Sequence, residues 1–346
     1  MMILKRSIIH DGNIAPDVYN LLKCLPDEYL HNLEYGKAHP LAIYNESLNR
    51  IIKAFSKVLD IYLKHNYFEE FEDDDFLELL DRQKELLHSI HSHFDDCYQI
   101  IKVTSPYPNI EGISKKDLKK LERSPYYWLN YFKNPGIKLF TRKTENYRVF
   151  IGNIVNKIKH EQARLRGITI KMDQQLYLGY FVEVVGVNKK YVSKLPDLDI
   201  HPFGTAFSFA RDLFFHFYNL YEISYYLKES LELSFNKNYD SPLKYEKVKV
   251  SYPDFGNIAK KLSELDNYFF LDEYSKPHPI IIYEDREDNN KMITLKLDSP
   301  WYRPYIPNIV EVKWHYESDG ITEHSVMPYI DYCFRYLPIK SLPKLL

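Results

Sequence analysis

The sequence predicts an α+β protein that is mainly α: a helical bundle with an inserted β-hairpin and a small C-terminal α+β module. Three observations predict this class. Long early stretches repeat apolar residues at helical spacing, and β-branched and aromatic residues concentrate near 168–193. After about residue 245, short strand candidates alternate with loops. We therefore predict a bundle over 1–240, with its hairpin near 168–193, and a module over 241–346 packed on it.

Composition limits the class of protein further. The chain has 346 residues, of which 45% are hydrophobic and 27% charged, so a largely disordered chain is excluded. The cysteines Cys24, Cys97 and Cys333 are far apart, which argues against a disulfide framework and fits a reducing compartment. No apolar run approaches the roughly 20 residues that span a bilayer. We expect a cytoplasmic protein with no membrane association.

Two long helices are predicted before residue 105. Residues 40–66 place apolar side chains at alternating steps of four and three, which marks one buried face. An acidic run from Glu69 to Asp75 follows, and a second helix with the same periodicity continues from Phe76 to Ile101. The short connection favours an antiparallel helical hairpin within a bundle.

A basic segment follows the hairpin. Residues 114–171 hold 15 Lys and Arg against 4 Asp and Glu, a net charge of +11. The preceding residues carry a net charge of −8 and the following residues −5. Such a block between acidic segments marks the part of the chain where a polyanion would bind.

The basic segment is predicted to contain helices. Ser114 and Asp117 have capping-box spacing, and Asn134-Pro135-Gly136 is typical of a turn. A further helix is predicted from about Thr141 to Leu165, with Gly167 ending it.

Beyond residue 167 the pattern changes to strands, with a single long helix among them. An aromatic helix is predicted from Thr205 to about Leu231. Residues 168–172 and 177–192 are predicted to form two or three strands, with a hairpin turn at 187–190. Later strands are predicted at 247–252, 279–283, 292–297 and 310–316, with a turn at 317–320.

The chain has no Gly-rich phosphate loop, dinucleotide fingerprint, Gly-x-Ser-x-Gly elbow or His-Glu-x-x-His motif. The sequence therefore gives no sign of the enzyme classes that use these motifs.

One helical face carries residue types that suit RNA cleavage. An imidazole can take a proton from a ribose 2′-hydroxyl, and neighbouring cations can stabilise the charge that develops on phosphorus. An ordinary solvated face is the alternative interpretation. At about 100° per residue the predicted stripe comprises Asn153, Asn156, Lys157, His160 and Arg164.

The segment Asn156-Lys157-Ile158-Lys159-His160 resembles a helix of divergent members of the HEPN superfamily. The resemblance covers residues 40–231. It implies a helical bundle, metal-independent ribonuclease activity in toxin–antitoxin or phage-defence systems, and a homodimer. The usual signature of the family is an arginine, four to six residues, then a histidine. Arg211 and His216 have this spacing, whereas His160 has no arginine at that distance.

We therefore expect a HEPN-like RNA-binding protein or endoribonuclease that needs no cofactor or metal. His160 is the predicted general base, Lys157 and Arg164 contact phosphate, and Asn153 and Asn156 orient the site. Arg211 and His216 are the alternative catalytic pair. The exposed cations Lys119, Lys120 and Arg123 are predicted RNA contacts beside the aromatic stretch 125–133.

Two other classes of function remain open from the sequence. A non-catalytic helical scaffold would bind an acidic protein through its basic 114–171 segment. A metal-dependent hydrolase would use a helical face that carries His88, His91 and Asp95.

Overall fold

The computed structural model describes residues 3–8, 16–65, 73–172, 175–188, 191–238 and 253–265, together with shorter stretches nearer the C-terminus. Those shorter stretches are 269–270, 272–273, 276, 278–285, 291–298, 309–315, 324–325 and 327–329.

The described part of the chain is mainly helical, as predicted, with two antiparallel-rich sheets beside the helices. The helices are α1 (Asp17–Lys23), α2 (Pro40–His65), α3 (Asp73–Val103), α4 (Lys115–Glu122), α5 (Pro125–Tyr131), α6 (Pro135–His160), α7 (Phe209–Asn238) and α8 (Pro253–Ser263). The strands are β1 (Ile3–Ile8), β2 (Arg164–Met172), β3 (Gln175–Asn188), β4 (Tyr191–Pro196), β5 (Phe207–Ser208), β6 (His278–Asp285), β7 (Lys291–Asp298), β8 (Ile309–His315) and β9 (His324–Ser325).

Helices α2 and α3 form the predicted antiparallel hairpin. Ser47 Oγ lies 2.8 Å from His93 Nδ1, and farther along the pair Lys57 Nζ donates to Glu85 at 2.9 Å. Asp73, at the start of α3, belongs to the predicted acidic run, where carboxylates favour the positive end of the helix dipole.

The predicted cap of α4 is confirmed, whereas the predicted turn at Asn134 is the N-cap of α6, which begins at Pro135 and not near Thr141. Ser114 Oγ accepts a hydrogen bond from the Asp117 amide at 3.2 Å and donates to its carboxylate at 2.7 Å. Asn134 Oδ1 accepts from the amides of Gly136 and Ile137, and Pro135 occupies the first turn of α6.

Helices α6 and α7 run antiparallel and very close together. A Cβ atom at Gly136 would lie 2.3 Å from the Ser230 carbonyl oxygen, so this approach requires glycine. At the other end of the contact, the rings of Phe150 of α6 and Phe215 of α7 are 6.1 Å apart.

The predicted extension of α6 to Leu165 is wrong. The helix ends at His160, Gln162 adopts a positive φ of 58°, and strand β2 starts at Arg164. The pairing of β2 with both β3 and β8 outweighs the helical periodicity of this stretch. Gly167 therefore lies inside a strand, where a Cβ atom would come within 2.3 Å of the Phe76 ring.

The predicted hairpin is larger than expected. Its strands β2, β3 and β4 form the centre of a sheet in the order β8-β2-β3-β4-β9, with β5 paired to β3. A second sheet has the order β1-β7-β6. Strands from both sides of residue 240 thus pair in each sheet, and the division of the chain at that point stays a prediction.

The central sheet is covered on both faces. Leu178, Tyr180 and Val182 of β3 point into the core shared with the helices. The alternate residues Tyr177 and Phe181 belong to a second apolar cluster on the opposite face. The sheet therefore fixes the position of the segment that connects β4 to α7.

Other predicted elements agree with the structure or fall outside it. The strands predicted at 279–283, 292–297 and 310–316 correspond to β6, β7 and β8. The predicted strand 247–252 and turn 317–320 lie outside the described residues. Among the described helices, none has the length and apolar character that a membrane crossing requires.

Candidate functional site

A cavity of about 540 Å³ lies between α6 and α7. Its third wall is the segment 199–207, which leads from β4 into α7. The lining is partly aromatic and includes both cations and carboxylates. The residues that line it are Lys143, Thr144, Asn146, Tyr147, Phe150, Asp199, Ile200, Pro202, Phe207, Arg211, Asp212, Phe215, Asn219, Glu222, Ile223 and Lys276.

Arg211 and Asp212 enter this cavity from the first turn of α7. The Arg211 guanidinium carbon lies 5.5 Å from the centre of the Phe215 ring, in cation–π range. Its charge also acts on the fully buried Glu273. The start of α7 thus presents a cation to the cavity, held between an aromatic face and a buried acid.

The Asp212 carboxylate is the centre of a buried polar network. Its Oδ2 accepts hydrogen bonds from Gln83 at 2.8 Å and from the Tyr180 hydroxyl at 2.6 Å. His216 Nε2 lies 2.9 Å from the same oxygen, but too obliquely for an aligned hydrogen bond, so this contact is electrostatic. Three elements, α3, β3 and α7, therefore fix the position of one carboxylate that lines the cavity.

His216 is joined to the cavity through Tyr147. The side chain of His216 is 0% exposed, and its Nδ1 lies 2.8 Å from the Tyr147 hydroxyl. These partners favour a tautomer with hydrogen on Nε2, facing Asp212, and with Nδ1 accepting from Tyr147. Burial, and then the Asp212 charge, raise the pKa of Tyr147 well above its ordinary value. The phenol is therefore neutral and able to donate.

Glu273 is a buried carboxyl group close to the end of the cavity that holds Arg211. It accepts hydrogen bonds from the amide and hydroxyl of Ser208, at 3.1 and 2.5 Å, and from the Phe270 amide at 2.9 Å. Burial raises its pKa to about 7, although the Arg211 charge opposes this shift. The carboxyl group therefore titrates near neutral pH beside the arginine of the cavity.

The opposite end of the cavity holds Lys143, Asn219 and Glu222. Glu222 Oε1 accepts a hydrogen bond from the Tyr218 hydroxyl at 2.8 Å. Burial raises the pKa of Glu222, and the hydrogen bond from Tyr218 is the largest effect that lowers it, with the Lys143 charge a smaller one. A cation and a carboxylate therefore lie close together where the cavity meets the middle of α7.

The predicted polar stripe of α6 ends beside the cavity. Asn153, Asn156 and His160 are exposed on α6, whereas Arg164 is exposed on β2 and so does not share their helical face. Lys157 forms ion pairs with Asp197 and Asp199, and Asp199 also lines the cavity.

The ion pairs already engage the predicted phosphate contact at Lys157. Burial lowers its pKa, but the bonds to the two aspartates outweigh this and leave the pKa above its ordinary value. Its charge is therefore largely compensated within the protein. The arrangement brings together Lys157 and the cavity but not His160 and an arginine.

The other predicted cations lie on a separate surface. Lys119 and Lys120 of α4 and the following Arg123 are exposed, and Lys120 lies 3.8 Å from Asp117. Exposed rings follow them on α5, where Tyr127 and Tyr131 reach solvent. Charge and aromatic surface thus occur side by side on this part of the protein.

The histidine face of α3 does not assemble a metal site within the described part of the chain. No group of three or more His, Cys, Asp or Glu side chains there has the geometry to hold a metal ion. Burial lowers the pKa of both His88 and His91. The nearby His93 is fully buried against Ser47 and therefore belongs to the core.

Sequence reasoning missed most of the cavity. The helical periodicity of α6 gives no sign that the Tyr147 hydroxyl meets His216. Asp212, Glu222 and Lys143 belong to no motif, so no sequence pattern points to them. The one usable signal was the Arg-x(4)-His spacing, because it placed two of these side chains on a single helix.

No family model, curated protein or solved structure matches the chain.

Proposed function

We propose that this protein is a HEPN-like RNA-binding protein that cleaves single-stranded RNA at the cavity between α6 and α7, without a metal. The observation that carries the proposal is that Arg211, Asp212 and Tyr147 line one cavity while His216 is bonded to Tyr147 from behind. This supports the pair Arg211 and His216 over His160, which is exposed at the end of α6 with its cationic neighbour Lys157 already paired.

The hydrogen-bond chain suggests how the proton would move. The ribose 2′-hydroxyl gives its proton to the Tyr147 oxygen as Tyr147 passes its own proton to His216 Nδ1. The imidazolium that forms is stabilised by Asp212, 2.9 Å from Nε2. A concerted transfer avoids a free phenolate, which the raised pKa of Tyr147 disfavours.

The phosphate would be held by the cations of the cavity. The 2′-oxygen attacks phosphorus and expels the 5′-oxygen of the next nucleotide, which takes the proton back along the same chain of groups. The products are a 2′,3′-cyclic phosphate and a 5′-hydroxyl end. Arg211 would stabilise the negative charge that grows on the phosphate oxygens. Lys276 lines the same end of the cavity but is ion-paired with Asp272 at 2.6 Å, so Arg211 is the main contact.

The test is incubation of the protein with single-stranded RNA in excess chelator. We expect fragments that end in a cyclic phosphate, and we expect Arg211→Gln to lower the rate by about 100-fold or more, as removal of a transition-state contact does. Arg142→Gln is the matched control, because Arg142 is an exposed cation of α6 that does not line the cavity. Equal loss in both variants, or full activity in Arg211→Gln with an unchanged melting temperature, would contradict the proposal.

The resemblance to HEPN proteins also implies a homodimer, and we include this in the proposal. Sedimentation equilibrium at the concentration of the cleavage assay tests it. If the protein is a monomer that cleaves RNA, the homodimer proposal is contradicted and the proposed cleavage in the cavity is unaffected.

A second function is favoured by the surface formed by α4. Its cations Lys119, Lys120 and Arg123 are exposed, which fits a docking surface for an acidic protein as well as for RNA. Binding of single-stranded RNA at several salt concentrations separates the two. If the surface binds RNA, affinity falls as salt rises and charge reversal at Lys119 and Arg123 weakens it. If wild-type protein binds no RNA even at low salt, docking to an acidic partner is the better interpretation.

A further inference from the structure

The cavity is long enough to separate two chemically different ends. Arg211 and Glu222 both line it, and their separation of eleven positions on α7 corresponds to about 16 Å along the helix axis. Arg211 and Lys276 lie at one end, and Asn219, Glu222 and Lys143 at the other. A ligand that reaches both ends needs an anionic group at one and polar edge groups at the other.

Aromatic side chains form the walls between these ends. The rings of Phe150 and Phe215 are 6.1 Å apart at 85°, and Phe215 meets Tyr147 edge-on at 5.6 Å. Phe207 closes the side nearest Arg211. Such rings provide stacking surfaces for a flat base that has left its own stack.

The side chains at the far end present hydrogen-bond acceptors. Asn219 is almost fully buried, and its Nδ2 donates to the Phe215 carbonyl at 2.7 Å, so the amide oxygen remains to accept. Glu222 presents a carboxylate at this end of the cavity, and its Oε1 accepts a hydrogen bond from Tyr218. Lys143 adds one donor beside these acceptors.

We propose that the cavity takes a guanine nucleotide of the RNA, with the base edge on Glu222 and Asn219 and the phosphate on Arg211. Guanine is the standard base that offers two adjacent N–H donors, N1–H and the N2 amino group, which a carboxylate accepts together. Lys143 would donate to O6 of the same edge. Adenine, cytosine and uracil each place an acceptor among these positions and would face an unpaired carboxylate.

This inference rests on the proposed function and names its base preference. The experiment therefore has two arms that can fail separately. In the first, isothermal titration measures binding of the four nucleoside 3′-monophosphates to wild-type protein, Glu222→Gln and the control Glu145→Gln. Glu145 is an exposed carboxylate of α6 outside the cavity lining. In the second arm, RNA strands that contain a single guanosine are compared with strands that lack it.

We expect wild-type protein to bind guanosine monophosphate at least about tenfold more tightly than the other three, as bidentate base contacts do. Glu222→Gln should lose this preference, because the amide keeps an acceptor for Tyr218 but turns a donor toward N1–H and the amino group. Glu145→Gln should keep the preference. RNA cleavage should occur at the guanosine in wild-type protein and lose that selectivity in Glu222→Gln.

The outcomes separate the two proposals. RNA binding without a preference for guanine, or a preference that Glu222→Gln leaves unchanged, would overturn the base assignment and leave the ribonuclease proposal intact. Selective binding of the free guanine nucleotide with no binding of RNA would support the guanine site and overturn RNA as its source. Binding of neither nucleotide nor RNA would overturn both.

Discussion

Asp73 Oδ1 and His315 Nδ1 lie 2.6 Å apart, although 242 residues separate them in the sequence. His315 stacks on Phe76, with ring centres 4.2 Å apart, and its Nε2 lies 3.3 Å from Thr169 Oγ1. The start of α3 is thereby fastened to strands β2 and β8. The contact ties the helical hairpin to the sheet and should therefore contribute to global stability.

Replacement of Asp73 tests this link. The pKa of Asp73 is lowered chiefly by its hydrogen bond with His315, so its contribution to stability is present above the pKa of the unfolded chain and is lost as pH falls through the lower, folded value. We expect Asp73→Asn to reduce the free energy of unfolding at pH 7 by about 1 kcal/mol. Urea titrations at pH 7 and pH 3 measure this. The difference between variant and wild type should shrink at pH 3, and an equal difference at both values would contradict the assignment.

In the proposed mechanism, the hydroxyl of Tyr147 carries the proton from the RNA in the cavity to His216. Tyr147→Phe keeps the ring packing and removes this route, so it should lower the rate of RNA cleavage by about 100-fold or more while RNA affinity changes little. His160→Ala should cleave at the wild-type rate. The check is single-turnover cleavage, after each variant has been shown to melt within a few degrees of wild type. Loss of cleavage in His160→Ala alone would return the catalytic role to the end of α6.

Alanine substitutions at two glycines of α6 should have opposite effects on stability, because only one of the glycines lies at the close contact with α7. Gly136→Ala would bring a Cβ atom within 2.3 Å of the Ser230 carbonyl and should destabilise the protein by about 1–3 kcal/mol. Gly152→Ala has its nearest atom at 3.9 Å, so the better helix propensity of alanine should stabilise by about 0.5–1 kcal/mol.

Chemical denaturation measures both glycine variants. Gly136 does not line the cavity, so its variant should change stability more than RNA affinity. Two variants of similar stability would show that α6 can move away from α7 without cost.

Glu273 should make stability fall as pH rises. Its pKa in the folded protein is raised to about 7, above that of an ordinary glutamate, so the folded state binds more protons than the unfolded state between these values. Stability should therefore decrease from about pH 4.5 to pH 7 and level off above it.

Glu273→Gln should lack this contribution to the pH slope. The slope, obtained from urea titrations across the range, is the readout, because the amide also places an N–H beside the Phe270 amide and lowers stability at every pH. An identical slope in the variant would show that Glu273 is ionised throughout.

Local patterns in the sequence predicted the helices well because helix periodicity and caps act over a few residues. The stripe of α2, the Ser114 cap and the Asn134 turn all depend on neighbours within four positions. The end of α6 was missed for the opposite reason. Residues from Arg164 onward become a strand because distant β3 and β8 pair with them, and no local pattern records such partners.

The candidate site was only partly predictable. Arg211 and His216 were found because their spacing is fixed on one helix, but the third group, Tyr147, comes from another helix 69 positions away. Glu273 approaches Ser208 from 65 positions away. Side chains of this kind carry no sign of their role until the fold brings them together.

Strand β2 has its outer neighbour far along the chain, since Thr169 of β2 and His315 of β8 are 146 residues apart. As a ribosome makes the protein, β2 and β3 pair early while the free edge of β2 waits for β8 to be synthesised. Unpaired edges are templates for association with other chains. Long-range pairings of this kind also fold slowly, because loop closure costs entropy before contacts form. Nascent chains should therefore be prone to aggregation, and a chaperone that shields the edge should raise the yield of folded protein.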